Sequence, residues 1–463
     1  ISISVQGYYS KINEQSIFEQ EADFDPTVDF EFTVGEETRQ RASTLADAKT
    51  RNQDYDWNFS VTQKFVTGGD YELSMDNNKN LNSSSFSSLN PIYSSDLALT
   101  VTQPLLKDFG IDLNKREIFI AKNDQEISDH QFTEKVIDTL TEAENIYWDL
   151  VFSIEDLKVK KTSLQRARDL EKQIKAQVDV GTLAELEILQ AKSEVASRDE
   201  QLLNAKNLID DNEDKLKNVL NLSFDSEEGL KNIVPADSPV FKPGSESSLE
   251  ESLKTALTHR PDLLAKKKEL DNRNIEAKYN ENQLFPTLDL VGSLGLNGLS
   301  GESATTNGSY DTALSETFST KFRLWEFGIN LSYPLGNRAA KSRLAAKRLE
   351  VAQLLLDIKE SEKNIVVEVR EAHRQIETDI KRVQATRVAR KFAEEKLHAE
   401  EKKFKVGLST SFNVLEFQED LAEEQSNEIK AVTDYNKSLS RLNQVMARTL
   451  EAHDIKLQSE NGS

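Results

Sequence analysis

The sequence contains no cysteine among its 463 residues. This absence excludes disulfides, thiolate chemistry, cysteine-ligated metals and a lipidated N-terminal cysteine in the chain as given. The five histidines show no metal-binding or catalytic-triad spacing, and the chain has no phosphate-binding loop, nucleophile elbow or dinucleotide motif. We therefore expect no enzymatic activity, no cofactor and no metal.

Basic residues are also scarce relative to acidic ones. The chain has 58 Lys and Arg against 80 Asp and Glu, a formal net charge of −22. A nucleic-acid surface needs an excess of Lys and Arg, so we expect no nucleic-acid partner. No hydrophobic run reaches the roughly 18 residues of a membrane-spanning helix, so any membrane crossing has to use strands. No signal peptide precedes the opening ISISVQGYYS, and we expect a processed or trimmed product.

The chain has only 17 Gly and 9 Pro, with 30% charged residues, which is typical of a helix-rich protein. It also contains an internal repeat. When Gly181 is set on Gly407, four apolar pairs coincide: Leu189 with Leu415, Leu203 with Ile429, Leu216 with Leu442, and Val219 with Val445. Upstream, Pro104 in TVTQPLL matches Pro334 in NLSYPLG, each before a long helical stretch. Each half is therefore predicted to contain strands, a long helix, a glycine turn and a return helix.

The repeat divides the chain into predicted domains. Residues 1–222 form the first repeat, and its predicted elements are a short helix, strands at about 27–104, a long helix at about 114–178 and a return helix at about 182–222. Residues 223–248 form a linker, because three prolines prevent a continuing helix. Residues 249–450 form the second repeat, and its predicted elements are a helix at about 249–283, strands at about 286–335, a long helix at about 338–405 and a return helix at about 409–449. Residues 451–463 form a polar tail that we expect to be partly disordered.

The long helices carry a heptad pattern. Apolar residues recur at alternating steps of four and three, at Val136, Leu140, Ala143, Tyr147 and Leu150, and at Ile365, Val369, Ala372 and Ile376. This spacing is typical of left-handed coiled coils. At about 1.5 Å per residue each helix would extend roughly 100 Å. Helices of that length are expected to pack side by side.

The predicted strands alternate apolar with small or polar residues. Phe327, Ile329 and Leu331 alternate with Gly328, Asn330 and Ser332. Similar alternation occurs near Val28, Trp57, Leu97 and Leu288. The sequence offers no free amphipathic helix to cover the apolar face, and the strands have about the ten residues of a tilted membrane strand. We therefore predict membrane strands, whose closure into a barrel requires other copies of the chain because the edges of four to six strands stay unpaired in lipid.

The segments between these strands are polar. Residues 77–90 and 297–320 are predicted to be long external loops, whereas residues 67–70 form a tight hairpin turn. Residues 50–80 contain an apparent extra hairpin, so each protomer contributes either four or six strands.

Several strings then resemble the TolC family of outer-membrane efflux proteins. They include SDLALTVTQPLLKDFG, VGTLAELEILQAKSE, FGINLSYPLGNRAAKSRLAAKR and KFKVGLSTSFNVLEFQ. Arg260-Pro261-Asp262-Leu263 followed by Phe285-Pro286-Thr287-Leu288 is the most family-specific pair. The resemblance covers nearly the whole chain.

The resemblance implies a mainly helical fold: long antiparallel coiled-coil helices in a trimeric α-barrel that continues into a trimeric transmembrane β-barrel. It implies a passive outer-membrane channel of a Gram-negative bacterium with a large periplasmic part. As partners it implies a homotrimer, a periplasmic membrane-fusion adaptor, an inner-membrane transporter of RND, ABC or MFS type, and outer-membrane lipid. The cargo would be drugs, metals, metabolites or secreted protein.

The resemblance also implies a tunnel entrance where the helix pairs turn, at Gly181 and Gly407. Acidic side chains often line this entrance in the family, and the matching positions here are Glu187, Glu416 and Asn413. A family tyrosine and arginine that help to hold the entrance closed are replaced by Phe404 and Ser409. Pro104 and Pro334 mark the strand-to-helix junctions, and Asp29 and Glu31 are candidate lumen acids.

Two other classes are compatible with parts of the pattern. The long helices alone favour an elongated soluble coiled-coil scaffold, but that class does not explain the alternating strands with Trp57 and Trp325. A gated passive porin would have no use for two pairs of very long helices.

Overall fold

The structure is a computed structural model that describes residues 2–40, 49–84, 87–223, 225–227, 229–244 and 247–457. The chain divides into two units. Residues 1–9, 128–266 and 357–463 make up the first, here called the helical unit, and residues 10–127 and 267–356 make up the second, the sheet unit. The end of the predicted polar tail, residues 458–463, lies outside the described residues.

Most described residues are helical. The helices are α1 (Ser2–Glu21), α2 (Ile111–Asn114), α3 (Arg116–Asp179), α4 (Glu185–Val219), α5 (Leu249–His259), α6 (Pro261–Asn282), α7 (Tyr310–Phe318), α8 (Arg338–Lys405), α9 (Ser411–Val445) and α10 (Thr449–Ala452). A short 3-10 helix, Ala22–Phe24, follows α1. In α8 the predicted heptad residues Ile365, Val369, Ala372 and Ile376 are buried, whereas Leu355, which has the same spacing ten residues before Ile365, is exposed. None of the described helices has an 18-residue stretch apolar enough to cross a membrane.

The strands form one antiparallel sheet whose spatial order is the order of the sequence. They are β1 (Thr27–Gln40), β2 (Lys49–Lys64), β3 (Asp70–Asn82), β4 (Ile92–Pro104), β5 (Thr287–Gly301) and β6 (Arg323–Ser332). The extra hairpin is therefore real, and the sheet has six strands. The tight turn between β2 and β3 is confirmed, since Gly68 has φ +98° and its N–H donates to the Phe65 carbonyl at 2.9 Å.

The register separates the sheet into an apolar face and a polar face. Residues paired across strands share a face. Phe32 pairs with Trp57, Leu97 with Leu296, and Leu294 with Trp325, all on the apolar face. Much of this face is open to the surroundings, because Phe30 is 69% exposed and Trp325 is 72% exposed. The sheet thus presents an apolar surface that its own chain leaves largely uncovered.

Two predicted loops are shorter than expected. Residues 77–82 belong to β3, although the prediction placed them in the loop 77–90. Their asparagines are poor strand formers, but hydrogen bonds to neighbouring strands satisfy their amides. Asn78 Nδ2 donates to Asp56 Oδ1 at 2.7 Å, and Asn80 Nδ2 donates to Asp54 Oδ1 at 2.6 Å. Residues 85 and 86 of this loop lie outside the described residues.

The prediction of a loop at 297–320 was also wrong in part. Strand β5 continues to Gly301, and helix α7 then packs on the apolar face at the loop end of the sheet. Ala313 and Thr317, one turn apart on α7, are fully buried, and the Thr317 hydroxyl donates to the Ser95 carbonyl at 2.7 Å. A side chain at Gly298 would collide with the α7 backbone, so a glycine on β5 permits this close approach. The chain does supply a helix that covers part of the apolar face.

The single helix predicted at about 249–283 is broken at Arg260-Pro261. Helix α5 ends at His259 and α6 begins with Pro261, because proline lacks the N–H that would continue α5 but fits the first position of a helix. Arg260 Nη2 donates to Asp262 Oδ2 at 2.8 Å, and Arg260 also pairs with Glu368 of α8. These two carboxylates raise the pKa of Arg260 above its ordinary value against the opposing effect of its burial. The family-specific Arg-Pro-Asp string is thus a helix break held by a partly buried ion pair.

In the helical unit, α3, α4, α8 and α9 share a core near the glycine turns. Its buried members include Leu170 and Ile174 of α3, Ala191 of α4, Leu397 of α8 and Leu415 of α9. The linker packs on the same unit: the Tyr147 hydroxyl donates to Asp237 at 2.9 Å, and the Phe241 ring stacks edge-on against Tyr435 at 5.1 Å.

Candidate functional site

The two ends where the helix pairs turn have the same backbone geometry. Gly181 lies between α3 and α4 with φ +78°, and Gly407 lies between α8 and α9 with φ +75°. In each turn the residue after the glycine donates its N–H to a carbonyl five residues earlier: Thr182 to Gln177 at 2.9 Å, and Leu408 to Lys403 at 2.9 Å. This is the Schellman pattern, which satisfies the last carbonyls of a helix and favours glycine at the positive-φ position. We call these two segments, 174–187 and 400–413, the first tip and the second tip.

The second tip contains a polar network. The Ser409 hydroxyl donates to Glu400 Oε1 at 2.6 Å, and Lys403 Nζ lies 3.0 Å from Glu400 Oε2. The Asn413 amide donates to the Ser409 oxygen at 3.3 Å. The Ser409 hydroxyl, followed by Lys403, lowers the pKa of Glu400, because these donors stabilise the charged carboxylate. Phe404 does not join the network; it packs against the shared core.

A buried arginine joins α4 to α9. The Arg198 side chain is only 1% exposed, and its Nε lies 2.8 Å from Glu194 Oε1. Its Nη2 donates to the Leu415 carbonyl at 2.8 Å, and its Nη1 donates to Gln418 Oε1 at 3.1 Å and to the Ser163 carbonyl of α3 at 3.2 Å. One side chain therefore connects three helices. Because a buried charge needs such partners, the relative position of these helices depends on Arg198.

Of the predicted entrance acids, Glu187 is half-buried and Glu416 is exposed. Glu187 of α4 accepts a hydrogen bond from Ser411 at the start of α9, a second link between the two return helices. Glu416 lines a cavity of about 290 Å³ between α4 and α9, together with Glu194 and Glu419. This cavity is acidic, so the structure brings carboxylates together near the tips.

The remaining predicted residues lie in the sheet unit. Asp29 and Glu31 are on β1, paired with Ser60 and Asn58 on the polar face. Pro104 is the last residue of β4, and Pro334 follows the end of β6 shortly before α8, so both lie between a strand and a helix.

The polar face of the sheet is strongly acidic. Following the register across the strands, we find eleven carboxylates on it: Asp29, Glu31, Glu37, Asp54, Asp56, Asp70, Glu72, Asp76, Asp96, Asp289 and Glu326. The basic residues on the same face are Arg39 and Lys64. They lie at opposite ends of the sheet. In the described part of the chain, no group of three or more His, Cys, Asp or Glu residues has a metal-binding arrangement. The carboxylates are therefore spread over the face.

Sequence reasoning missed Arg198, Glu400, Ser411 and Gln418. The heptad pattern contained a signal for Arg198, because Ala191, Arg198, Ala205 and Asn212 recur every seven residues and all four are buried. A charged residue in such a buried series requires partners. The sequence had no comparable signal for the partners, which lie far away along the chain.

The chain combines an antiparallel sheet that has a largely exposed apolar face with two long helical hairpins, the architecture of outer-membrane channel proteins. The chain matches the Outer membrane efflux protein family over residues 66–222 and 252–448, and it belongs to this family. It is an outer-membrane efflux channel component of a tripartite system. Channels of this family are trimers that work with adaptors and inner-membrane pumps.

Solved structures of channels have the same fold. The outer-membrane channel OprN superposes with a TM-score of 0.70 at 14% identity, covering 96% of this chain and 86% of that chain. The Campylobacter jejuni CmeC outer membrane channel gives 0.68 at 13% identity, with 96% and 83% covered. The outer membrane protein VceC from Vibrio cholerae gives 0.67 at 14% identity, with 96% and 92% covered. No curated protein sequence matches the chain significantly.

Proposed function

We propose that this chain forms a homotrimer in which three sheets close together in the outer membrane. The observation that carries the proposal is the sheet itself: among the described residues its edge strands, β1 and β6, pair with no further strand, and its apolar face is largely exposed. Unpaired strand edges cannot persist in lipid, so neighbouring copies have to pair with them. The exposed leucines of α4, Leu186, Leu189 and Leu203, supply further apolar surface for contacts between copies.

We further propose that the helical unit crosses the periplasm and that the two tips form the tunnel entrance. A periplasmic membrane-fusion adaptor and an inner-membrane transporter of RND, ABC or MFS type deliver the cargo there. The channel conducts passively, without enzymatic activity or a bound cofactor, and the pump supplies the energy. Glu187, Asn413 and Glu416 border the entrance. Glu400 with Ser409, and Arg198 with α9, replace the tyrosine and arginine contacts that the chain lacks.

The polar face of the sheet favours cationic or neutral cargo. In a trimer it would line the exit with three copies of the eleven carboxylates, and like charges on a narrow pore wall attract cations and repel anions. Asp29 and Glu31 belong to this wall. Drugs, metals, metabolites or secreted protein are the cargo classes considered, and the acidic wall disfavours those with a strong negative charge.

The test of the trimer is the size and shape of the detergent-extracted protein, measured by light scattering and particle imaging. We expect a trimer with a detergent belt around one end. A detergent-independent monomer or dimer would overturn the proposal. In planar bilayers, a strong preference for potassium over chloride is expected. The double variant Asp54→Asn/Asp56→Asn should reduce it, whereas the single variant Glu227→Gln, which removes a negative charge in the linker and not on the sheet, is the control and should leave it unchanged.

A further inference from the structure

The basic residues at the loop end of the apolar face include Arg323 on β6 and Lys79 on β3. Along β6 this face runs from Arg323 through Trp325 and Phe327 to Leu331, with Tyr333 just beyond the strand. Ten residues of a strand tilted by about 40° span roughly 25 Å along the membrane normal, the height of the apolar band of an outer-membrane protein. Trp325 and Tyr333 fit the aromatic belts at its two edges. Arg323 is therefore placed at the level of lipid headgroups.

The second cation is Lys79 on β3. Its neighbours across the sheet are Tyr55 on β2 and Tyr93 on β4. Lys79 Nζ lies 5.8 Å from the Tyr55 ring centre and 5.6 Å from the Tyr93 ring centre. The lysine is half-buried between two aromatic rings, which hold the ammonium group on a face that is otherwise largely apolar.

Neither cation has a carboxylate partner within ion-pair distance among the described residues. Other arginines at this end of the sheet do: Arg51 pairs with Glu36 at 2.5 Å, and Arg39, on the polar face, pairs with Glu37 at 2.5 Å. Within the described part of the chain, the positive charges of Lys79 and Arg323 therefore have no neighbouring carboxylate at the edge of an apolar surface. That surface is consequently suited to an anion.

The polar groups close to Lys79 are already satisfied. The Tyr310 hydroxyl of α7 and the Ser95 hydroxyl both donate to Asn77 Oδ1, at 2.9 and 2.8 Å, and Asn77 Nδ2 donates to the Trp57 carbonyl at 2.9 Å. These groups form hydrogen bonds with one another, and none of them is a carboxylate. They therefore provide no negative charge next to the lysine.

Arg323 borders an apolar groove. The groove has a volume of about 610 Å³, and Leu73, Leu97, Leu99, Leu294, Leu296 and Trp325 line it. A guanidinium beside a groove of leucines matches an amphiphile with an anionic head and an acyl chain. A free phosphate ion could satisfy the charge but would leave the groove unoccupied.

We propose that Lys79 and Arg323 bind the headgroup phosphates of outer-membrane lipids, with an acyl chain in the groove beside Arg323. This inference rests on the proposed placement of the sheet in the outer membrane. The ligand class is a phosphate-bearing lipid. The aromatic rings around Lys79 fix the position of the ammonium group, and Arg323 supplies the second phosphate contact.

The test measures lipid retained by the purified full-length trimer, by native mass spectrometry, with diphosphoryl lipid A, its dephosphorylated form and inorganic phosphate as probes. The variants are Lys79→Gln, Lys79→Met and Arg323→Gln. Arg39→Gln is the matched control, because it removes one positive charge at the same end of the sheet but on the opposite face. Each cation near a headgroup contributes enough for about a fivefold change in lipid affinity.

We expect the wild type and Arg39→Gln to retain the phosphorylated lipid, and each Lys79 or Arg323 variant to bind it about fivefold more weakly. Equal retention by all variants, equal retention of the dephosphorylated lipid, or displacement of the lipid by inorganic phosphate would overturn the lipid site while leaving the trimeric channel intact. Failure of the wild type to form a detergent-dependent trimer would instead overturn the proposed function, and the lipid site with it.

Discussion

The return helices α4 and α9 occupy equivalent places in the repeat but have different surroundings. Leu189 of α4 is 65% exposed, whereas its counterpart Leu415 of α9 is 5% exposed. Nearer the C-terminal ends the difference vanishes, because Leu216 and Leu442 are both buried. The same apolar spacing therefore has two outcomes near the tips: the α9 leucine is buried in the core of its own chain, whereas the α4 leucine stays exposed.

The two tips differ in chemistry in the same way. Setting Gly181 on Gly407 places Ile174 on Glu400 and Leu183 on Ser409. In the first tip both residues pack in the shared apolar core, whereas in the second tip the corresponding pair is joined by a hydrogen bond of 2.6 Å. The two tips therefore have the same backbone geometry but different contacts. Apolar packing holds the first tip, and a hydrogen bond to a titratable carboxylate holds the second.

The largest effect is expected from Arg198→Ala. Removing this side chain leaves Glu194 without its partner in a largely buried setting and frees the acceptors on Leu415, Gln418 and Ser163. Breaking such a buried pair costs about 3–5 kcal/mol of unfolding free energy. Denaturant titration of the full-length protein measures the change.

Glu424 provides the control for that prediction, because it is the repeat counterpart of Arg198 on α9 and is only half-buried. Glu424→Ala is expected to change stability by about 0.5 kcal/mol or less. If both substitutions had equal effects, Arg198 would not be the element that joins α4 to α9.

A smaller loss is expected from Leu415→Ala. Truncating a buried leucine leaves a cavity and costs about 2–5 kcal/mol. The loss should appear in the unfolding of the chain at every protein concentration. Leu189→Ala should leave concentration-independent unfolding unchanged, since its side chain packs little within its own chain. Equal losses of unfolding free energy for the two variants would show that Leu189 of α4 and Leu415 of α9 contribute equally to the packing of their own chain.

Leu189→Glu should weaken association between copies. If α4 contacts a neighbouring chain, a carboxylate at this position removes about 1.5–3 kcal/mol of association free energy per copy, because the leucine is no longer buried there. The measurement is the trimer fraction during dilution in detergent, by light scattering. Lys192→Glu, three residues further along α4 on an exposed position, is the control. An undiminished trimer at all dilutions would place Leu189 outside the interface.

The comparison also explains what could be predicted from the sequence. The helices, the glycine turns and the alternating strands follow from local spacing, so these parts of the fold were predictable. The different exposure of Leu189 and Leu415 could not be predicted, because the two helices have the same apolar spacing and the spacing does not show which leucine is buried within its own chain. Helix α7 was missed because it has only nine residues and follows a segment rich in glycine and polar residues, and its burial depends on Gly298 in strand β5. The Glu400 network was missed because Ser409 was compared only with a family arginine.

Gly181→Ala and Gly407→Ala should have equal effects. Both glycines have positive φ, and an added Cβ would meet no atom within 4 Å at either position. The cost is therefore backbone strain alone, about 1 kcal/mol for each. Thermal unfolding of the two variants measures it. A clearly larger loss of stability in one of the two variants would show that the tips differ in backbone strain as well as in their side chains.

The smallest effect is expected when the pH is lowered, and it concerns the stability of the second tip. The pKa of Glu400 is lowered from its ordinary value of 4.5 by Ser409 and then Lys403, so the charged carboxylate stabilises the second tip at neutral pH. That contribution is present above the ordinary value and is lost as the pH falls through the lowered pKa. Protection from hydrogen exchange, corrected for the intrinsic pH dependence of exchange, should then fall at residues 400–413 but not at 174–187, where Ile174 and Leu183 do not titrate. Ser409→Ala removes the main donor, so the midpoint of the acid transition should move upward, towards 4.5. A midpoint that stays in place in Ser409→Ala, or equal acid sensitivity at both tips, would show that the second tip does not depend on the Glu400 carboxylate.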